Sequence, residues 1–323
     1  MPYSAFTSST TAEEVATVFL AQIKGKNVLI TGTSLNGIGF ETARVIAKYA
    51  NLVVITGYNA ERLKLTEEGI KKDVPSANIR QLTLDLSSLA AVRRAAAEVN
   101  ASPLPLHVLI HNAAAVIGPF KLTVDKLENQ FATDHVGPFL LTKLLAPKLL
   151  KSATADYTPR VVYVSSGAHA FGAGVDFDNI CPNPDPTKHT STGAYFQAKS
   201  ANILTALELS KRSGGKINAY SLHPGVIFTN IHQKEESIAD MQALGFIGPD
   251  RQPLENGNFE WKTIPQGAAT TVAAAFDPSL NAWRVPHNST VANDAVASHS
   301  SDPAIAEKLW TETEKIIGES FTF

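Results

Sequence analysis

A single cysteine, Cys181, in 323 residues rules out an internal disulfide and points to a reducing compartment, so a cytoplasmic location is expected. It precedes the run PNPDP, a loop composition in which an incidental thiol is a better account than a nucleophile. No cluster of residues has metal-ligand spacing. Every apolar run is interrupted well short of the ~20 residues that a membrane-spanning helix needs. The first residues are rich in Ser and Thr and lack the basic-then-apolar pattern of a secretory leader. Basic residues are not in excess: 28 Lys and Arg face 30 Asp and Glu, a net charge of −2 without a basic patch, which excludes nucleic acid as a partner. Internal repeats and low-complexity tracts are also missing. What is present, 44% hydrophobic and 18% charged residues, suits a globular α/β chain.

The pattern along the chain is one of alternating strands and helices. Thr11 and Glu14 have the spacing of a capping box, opening an amphipathic helix with Val15, Phe19, Leu20 and Ile23 on one stripe. Apolar strand candidates fall near 27–31, 52–56, 79–84, 106–111, 160–165 and 216–222, separated by helical patterns. Continuously apolar strands fit a parallel sheet covered on both faces. With right-handed crossovers, the expected fold is a Rossmann-type doubly wound sheet with helices on both faces. One domain is expected over 1–323, with an N-terminal helical extension (1–25) and a C-terminal helix within 302–318, over about Pro303–Ile317. A Ser/Asn/Ala-rich stretch, 283–302, reads as a loop. Two long stretches, 167–193 and 231–262, read as irregular. Both leave the carboxyl ends of strands, where ligands bind in open α/β sheets, so they are the expected substrate walls.

Two local patterns carry chemistry. VLITGTSLNGIGFETARVIAKY reads as a buried strand (28–31), a glycine-rich turn and a helix from about Gly39 to Tyr49. Glycines there allow close approach to a pyrophosphate, and the helix N-terminus offers unpaired N–H groups. A plain strand-to-helix turn would use the same residues, but its place at the first βα junction favours dinucleotide binding. Downstream, Tyr195 and Lys199 stand four apart, one turn along a helix face. An ammonium held there favours the neighbouring phenolate. Ser165 and Ser166 close the strand-like run RVVYVSS, from which a hydroxyl could hydrogen-bond the reacting oxygen. Among seven tyrosines such spacing recurs by chance, and an ordinary helix would carry it too; the glycine-rich turn is what makes it catalytic.

The ordered motifs TGTSLNGIG (31–39), LDLSSLAAVR (84–93), LIHNAA (109–114), FATDHVGPFLLTKLL (131–145), RVVYVSS (160–166), YFQAKSAN (195–202), LHPGVIFT (222–229) and TIPQGAATTVAAA (263–275) resemble the short-chain dehydrogenase/reductase superfamily. Within it the chain is similar to the retinol-dehydrogenase-like and WW-domain-oxidoreductase-like group, in a form common in fungal secondary metabolism. The resemblance implies Tyr195 as general acid in carbonyl reduction and base in alcohol oxidation. It implies Lys199 on the nicotinamide ribose and Ser166 orienting the substrate oxygen. Gly32, Gly37 and Gly39 would surround the pyrophosphate, with Ile38 lending a backbone contact. Asp85 and Leu86 would meet the adenine, Asn112 and Ala113 the adenosine ribose, and Pro224, Gly225, Ile227 and Thr229 the carboxamide.

Several positions depart from the family pattern. The glycine loop is one residue longer, and Asn36 stands where many relatives have glycine. His111 and Ala114 replace residues of the Asn-Asn-Ala-Gly signature; His111 reads as a neutral strand-end hydrogen-bonder. Asp134 replaces the asparagine that helps hold a water next to the lysine; its charge would raise the Lys199 pKa and blunt the field on Tyr195. At the end of the second strand no acid stands at Thr56, Gly57 or Tyr58 to repel a 2′-phosphate. Thr33, Ser34, Asn59 and Arg62 are candidate phosphate contacts. The expectation is therefore NADP(H), with NAD the alternative. The expected substrate is a ketone, aldehyde or alcohol, apolar or aromatic, walled by His169, Phe171 and Phe228, with Phe177 and Trp261 as further candidates. Each of these also reads as core packing. A homo-oligomer stays open. So does a second class, a cofactor-binding scaffold with weak or lost redox turnover, which Asp134 alone favours.

Overall fold

The computed structural model describes residues 6–115, 117–255, 260–280, 286–287, 290–291 and 295–323. Six segments form one sheet: β1 (Asn27–Ile30), β2 (Leu52–Gly57), β3 (Ile79–Thr83), β4 (Val108–His111), β5 (Arg160–Val164) and β6 (Asn218–Leu222). All neighbours pair in parallel in the order β3-β2-β1-β4-β5-β6. The order reverses between β1 and β4, and a cleft opens at the carboxyl ends of strands flanking such a switch point.

Successive side chains of a strand point to opposite faces, so each strand feeds two cores. On one face Val28, Ile30, Val53, Ile55, Val108, Ile110, Val162 and Val164 meet α1 (Ala12–Val18), α2 (Leu20–Ile23), α3 (Ile38–Ala47), α4 (Ala60–Asp73) and α10 (Ile264–Phe276). On the other, Leu29, Val54, Leu109, Val161 and Tyr163 meet α5 (Leu89–Ala101), α6 (Asn129–Phe131), α7 (Gly137–Leu150), α8 (Ser191–Arg212) and α12 (Pro303–Ile317). Between α6 and α7 the chain takes one π-helical turn, Ala132–Val136. Two-residue strands β7 (Val226–Ile227) and β8 (Trp261–Lys262) pair beside the main sheet, with α9 (Glu235–Ala243) between them in sequence. A short turn, α11 (Ser298–Ser301), precedes α12.

Thr11 caps α1 in the expected box, accepting from the Glu14 N–H while the Glu14 carboxylate accepts from the Thr11 N–H at 2.7 Å. The expected stripe differs at one position. The backbone leaves the helical region at Phe19 (φ −99°, ψ 20°), which resets the helical phase. Phe19 and Ile23 are buried against α10 and α3, whereas Leu20 is 44% exposed. The stretch 231–262 is also not irregular throughout, because α9 occupies part of it. Only Ser237 and Met241 of that helix are buried, too few to print a 3.6-residue apolar period. Part of the 283–302 loop lies outside the described residues; its end forms α11.

Candidate active site

The glycine-rich turn is built to keep backbone close to backbone. Gly32 has φ +70°, and a Cβ there would lie 2.6 Å from the Ala113 Cα. A Cβ on Gly39 would lie 2.4 Å from both Asn112 Nδ2 and Gly32 O. Asn36 takes the left-handed conformation, φ 59°, at the top of the loop, a role that asparagine tolerates better than most residues. Gly37 is the N-cap of α3 and supplies no side-chain cap, so the first N–H groups of α3 face the cleft. That cradle fits a pyrophosphate. Ser34 and Ile38 are half-buried in the same turn.

Asn112 faces the loop rather than open space: its Nδ2 donates to Thr31 O at 3.0 Å and Gly32 O at 2.8 Å. Its backbone N–H and that of Ala113 both donate to Thr31 Oγ1. The Asn112 side chain therefore positions the glycine loop. Ala114 continues this half-buried stretch. Asp85 accepts from the N–H and hydroxyl of Ser87 at 2.9 and 2.6 Å. Leu86 is buried, and its carbonyl lies where a Cβ on Gly137 would be, 2.3 Å away, so only glycine lets α7 approach.

At the end of β2, Tyr58 is 63% exposed and accepts at 3.3 Å from Arg62. Asn59 caps α4 through the Arg62 N–H. Thr33 is not an available phosphate donor; it is fully buried, with its hydroxyl on Thr56 O.

The chemical centre is assembled by β5, the π turn and α8. Lys199 Nζ lies 3.0 Å from Asp134 Oδ2, and both side chains are sealed from solvent. Asp134 Oδ1 accepts from the Ala115 N–H at 2.6 Å. Lys199 Nζ also donates to Val164 O at 3.4 Å and lies 5.2 Å from the centre of the Tyr195 ring. Burial works against the ammonium, but the charges of Asp134 and Tyr195 hold the Lys199 pKa above its ordinary value. Burial pushes the Asp134 carboxyl up, against the pull of Lys199 and the Ala115 N–H. Ser165 donates to Lys199 O at 2.7 Å, locking α8 to β5. Ser166 Oγ accepts from the Ala168 N–H at 3.2 Å.

His111 is buried and stacks on Tyr163, with Nε2 2.8 Å from the Thr142 hydroxyl. Burial lowers its pKa to about 3, so it is neutral, as expected. His169 is not a substrate wall. It is buried, and both ring nitrogens meet backbone: Nδ1 at 2.7 Å from Ser166 O and Nε2 at 3.3 Å from the Ala297 N–H. Phe171 is 79% exposed, 5.9 Å from the ring of Phe196. Phe228 packs edge-on against Trp261 at 6.3 Å and tilts on His232. Phe177 packs against the α5–α8 core, under the Lys308 ammonium, 4.2 Å from its ring centre. Along the LHPGVIFT segment Pro224 is buried, and Gly225 has φ +102°. Ile227 packs so close to Gly267 that a Cβ there would lie 2.6 Å away. Thr229 receives a capping contact from His232, 3.3 Å from its N–H. Cys181 is exposed. Sequence reasoning passed over His223, whose Nδ1 accepts from the Gly167 N–H at 3.0 Å. Its place in the LHPG run was the available signal.

The model of the short chain dehydrogenase family matches residues 26–175. Over 321 residues the chain is 36% identical to short-chain dehydrogenase TIC 32 B, chloroplastic, of Brassica napus, covering 97% of this chain and 95% of that one. The chain belongs to the short-chain dehydrogenase family. It is 35% identical to the WW domain-containing oxidoreductase of Danio rerio, covering 93% of this chain and 70% of that protein. It is 32% identical to retinol dehydrogenase 12 of Mus musculus, covering 92% and 88%. Among solved structures, an uncharacterized protein of Mycobacterium paratuberculosis superposes with a TM-score of 0.70 at 25% identity, covering 94% and 98% of the two chains. The NADPH-bound carbonyl reductase from chicken fatty liver shares the fold, with a TM-score of 0.58 at 18% identity over 82% and 97%. This short-chain dehydrogenase thus has the Rossmann-type fold of an oxidoreductase family. Among the described residues no helix is long and apolar enough to cross a membrane.

Proposed function

We propose that the protein is an NADP(H)-dependent oxidoreductase interconverting a ketone or aldehyde and an alcohol. The observation that carries this reading is the buried Lys199 ammonium, anchored by Asp134 and set 5.2 Å from the Tyr195 ring beside a glycine cradle. The bound nicotinamide would supply or accept the hydride. Tyr195 would give its phenolic proton to the carbonyl oxygen in reduction and take it back in oxidation. Lys199 favours the phenolate left behind. Ser166, whose oxygen already accepts from Ala168, would turn its O–H toward the substrate oxygen. Gly32, Gly37 and Gly39 would hold the pyrophosphate.

The preference for the 2′-phosphate rests on the end of β2. No acid stands there, and Arg62 donates to the Tyr58 hydroxyl at 3.3 Å, so a cation is available near that strand end. The carbonyl reductase that shares the fold was solved with NADPH. An apolar or aromatic substrate fits the rings of Phe171 and Phe196 beside Tyr195. One observation favours the scaffold reading: Asp134 compensates the charge that activates Tyr195.

Thermal unfolding with each cofactor tests the binding half. NADPH should raise the midpoint at lower concentration than NADH, by mass action on the folded state. Equal or stronger stabilisation by NADH defeats the cofactor preference, and no shift with either defeats the reading. For the chemistry, Tyr195→Phe keeps the ring and removes the proton donor. Turnover of ketones or alcohols found in a substrate panel should fall by about 10²–10⁴-fold with NADPH binding intact. Wild-type turnover by that variant places the proton transfer elsewhere.

A further inference from the structure

We infer that the segment 297–301 is a bolt joining the two arms of the active site, with His169 as the positioning residue that fastens it to the serine arm. The inference rests on the catalytic reading above, because it assigns Ser166 and Tyr195–Lys199 as those arms. Ser166 lies at the end of β5, and its loop continues as a 3-10 turn, Gly167–Phe171. Tyr195 and Lys199 lie on α8. A hydride transfer needs their hydroxyls aimed at one oxygen, so the separation of loop and helix must be fixed.

The segment 297–301 reaches both. The Ser166 carbonyl accepts from His169 Nδ1–H at 2.7 Å, and His169 Nε2 accepts from the Ala297 N–H at 3.3 Å. Those partners leave only one tautomer, with the proton on Nδ1. Two residues on, His299 Nε2–H donates to the His169 carbonyl at 2.9 Å. The ring of His299 lies against Gly174 (φ +85°), where a Cβ would come within 3.1 Å. At the next position, Ser300 is fully buried, and its hydroxyl lies 2.6 Å from that of Ser200, the residue after Lys199. One short stretch therefore holds the serine loop by its backbone through two histidines and the catalytic helix by a buried hydroxyl pair. None of these contacts touches the reacting atoms. Their effect is to set the distance between the groups that do.

Two variants separate this from local ordering of the serine loop. In His169→Asn the amide nitrogen replaces Nδ1 and keeps the Ser166 contact, but no atom remains to receive the Ala297 N–H. Ser300→Ala releases α8 and leaves both histidines untouched. Because misplacement of reacting groups by about 1 Å costs on the order of 10²-fold, kcat should fall at least tenfold in each variant. The NADPH dissociation constant should stay within about twofold of wild type, since the glycine cradle lies elsewhere. Full kcat in His169→Asn would show that the serine loop needs no bolt and would overturn the inference. An arm independent of turnover uses hydrogen exchange of the NADPH complex, or of the free protein if no cofactor binds. Ser300→Ala should speed exchange of the amides at 167–169, which the substitution does not touch directly. Unchanged exchange there overturns the coupling, whatever the fate of the catalytic assignment.

Discussion

At the scale of single residues, the charge balance of the site turns on Asp134. Its two oxygens are already committed, one to the Ala115 N–H and one to the Lys199 ammonium. In Asp134→Asn the amide oxygen can keep Ala115, but the amide nitrogen then faces the ammonium. The positive field on Tyr195 loses its counterweight. Turnover of an alcohol near neutral pH should therefore hold or rise, by up to about tenfold. Rates of both proteins measured across pH check this. A lower rate near neutral pH in the variant refutes the charge argument, and activity lost at every pH with NADPH still bound marks Asp134 as a working catalytic group. The variant should also unfold at lower temperature, because a buried ammonium stripped of its partner is costly. Asp134 and Lys199 were legible as a pair in the sequence because motif order placed both near the tyrosine. The orientation of Asn112 and the commitment of His169 were not. The partner of His169 lies 128 residues away in a stretch without periodicity, and nothing local reports it.

Among elements, the central strands β1, β4 and β5 were the most readable, since each is buried along its whole length, whereas the edge strand β3 (IRQLT) is mostly half-buried and polar. The glycine turn was readable for the opposite reason, that only backbone fits there. Gly39→Ala tests that crowding. Its Cβ would meet Gly32 O and the Asn112 amide at 2.4 Å, and the carbonyl is backbone that cannot swing aside. The variant should lose several degrees of thermal midpoint and most of its stabilisation by NADPH. A variant with wild-type response to NADPH would show that the cradle is looser than its geometry. The π turn at 132–136 had no signature, because its i→i+5 hydrogen bonding differs from the α pattern only in how later side chains are phased. It matters nonetheless: Asp134 turns toward Lys199 while the next residue, His135, reaches α12 through Thr313 at 2.9 Å and α8 through Thr205 at 3.3 Å.

For the molecule as a whole, the parallel doubly wound sheet followed from the βα rhythm and the right-handed crossover rule. Its response to acid follows from two buried histidines, of which the sequence left His135 unweighed. His111 and His135 are fully buried, and burial lowers each pKa from 6.5 to about 3. As pH falls below about 6.5, the unfolded chain takes up protons that the folded one refuses, so stability is lost between about 6.5 and 3. From pH 7 to pH 5 the two should cost about 4 kcal/mol together, about 2 each. Urea unfolding at the two pH values measures the loss, and in His135→Asn it should shrink by about 2 kcal/mol. An equal loss in the variant would show that His135 does not titrate as its burial requires.

The first helix has a consequence for how the chain is made. Val15, Phe19 and Ile23 are buried in a core that α10 completes, and α10 begins only at Ile264. At ~5–20 residues per second, synthesis takes roughly 10–50 s to cover that interval. Throughout it the apolar stripe of α1 and α2 lacks its α10 mate and has α3 for its remaining helical cover. A nascent chain of this protein thus presents a sticky amphipathic segment early and withdraws it late, which makes that segment the natural handle for a chaperone.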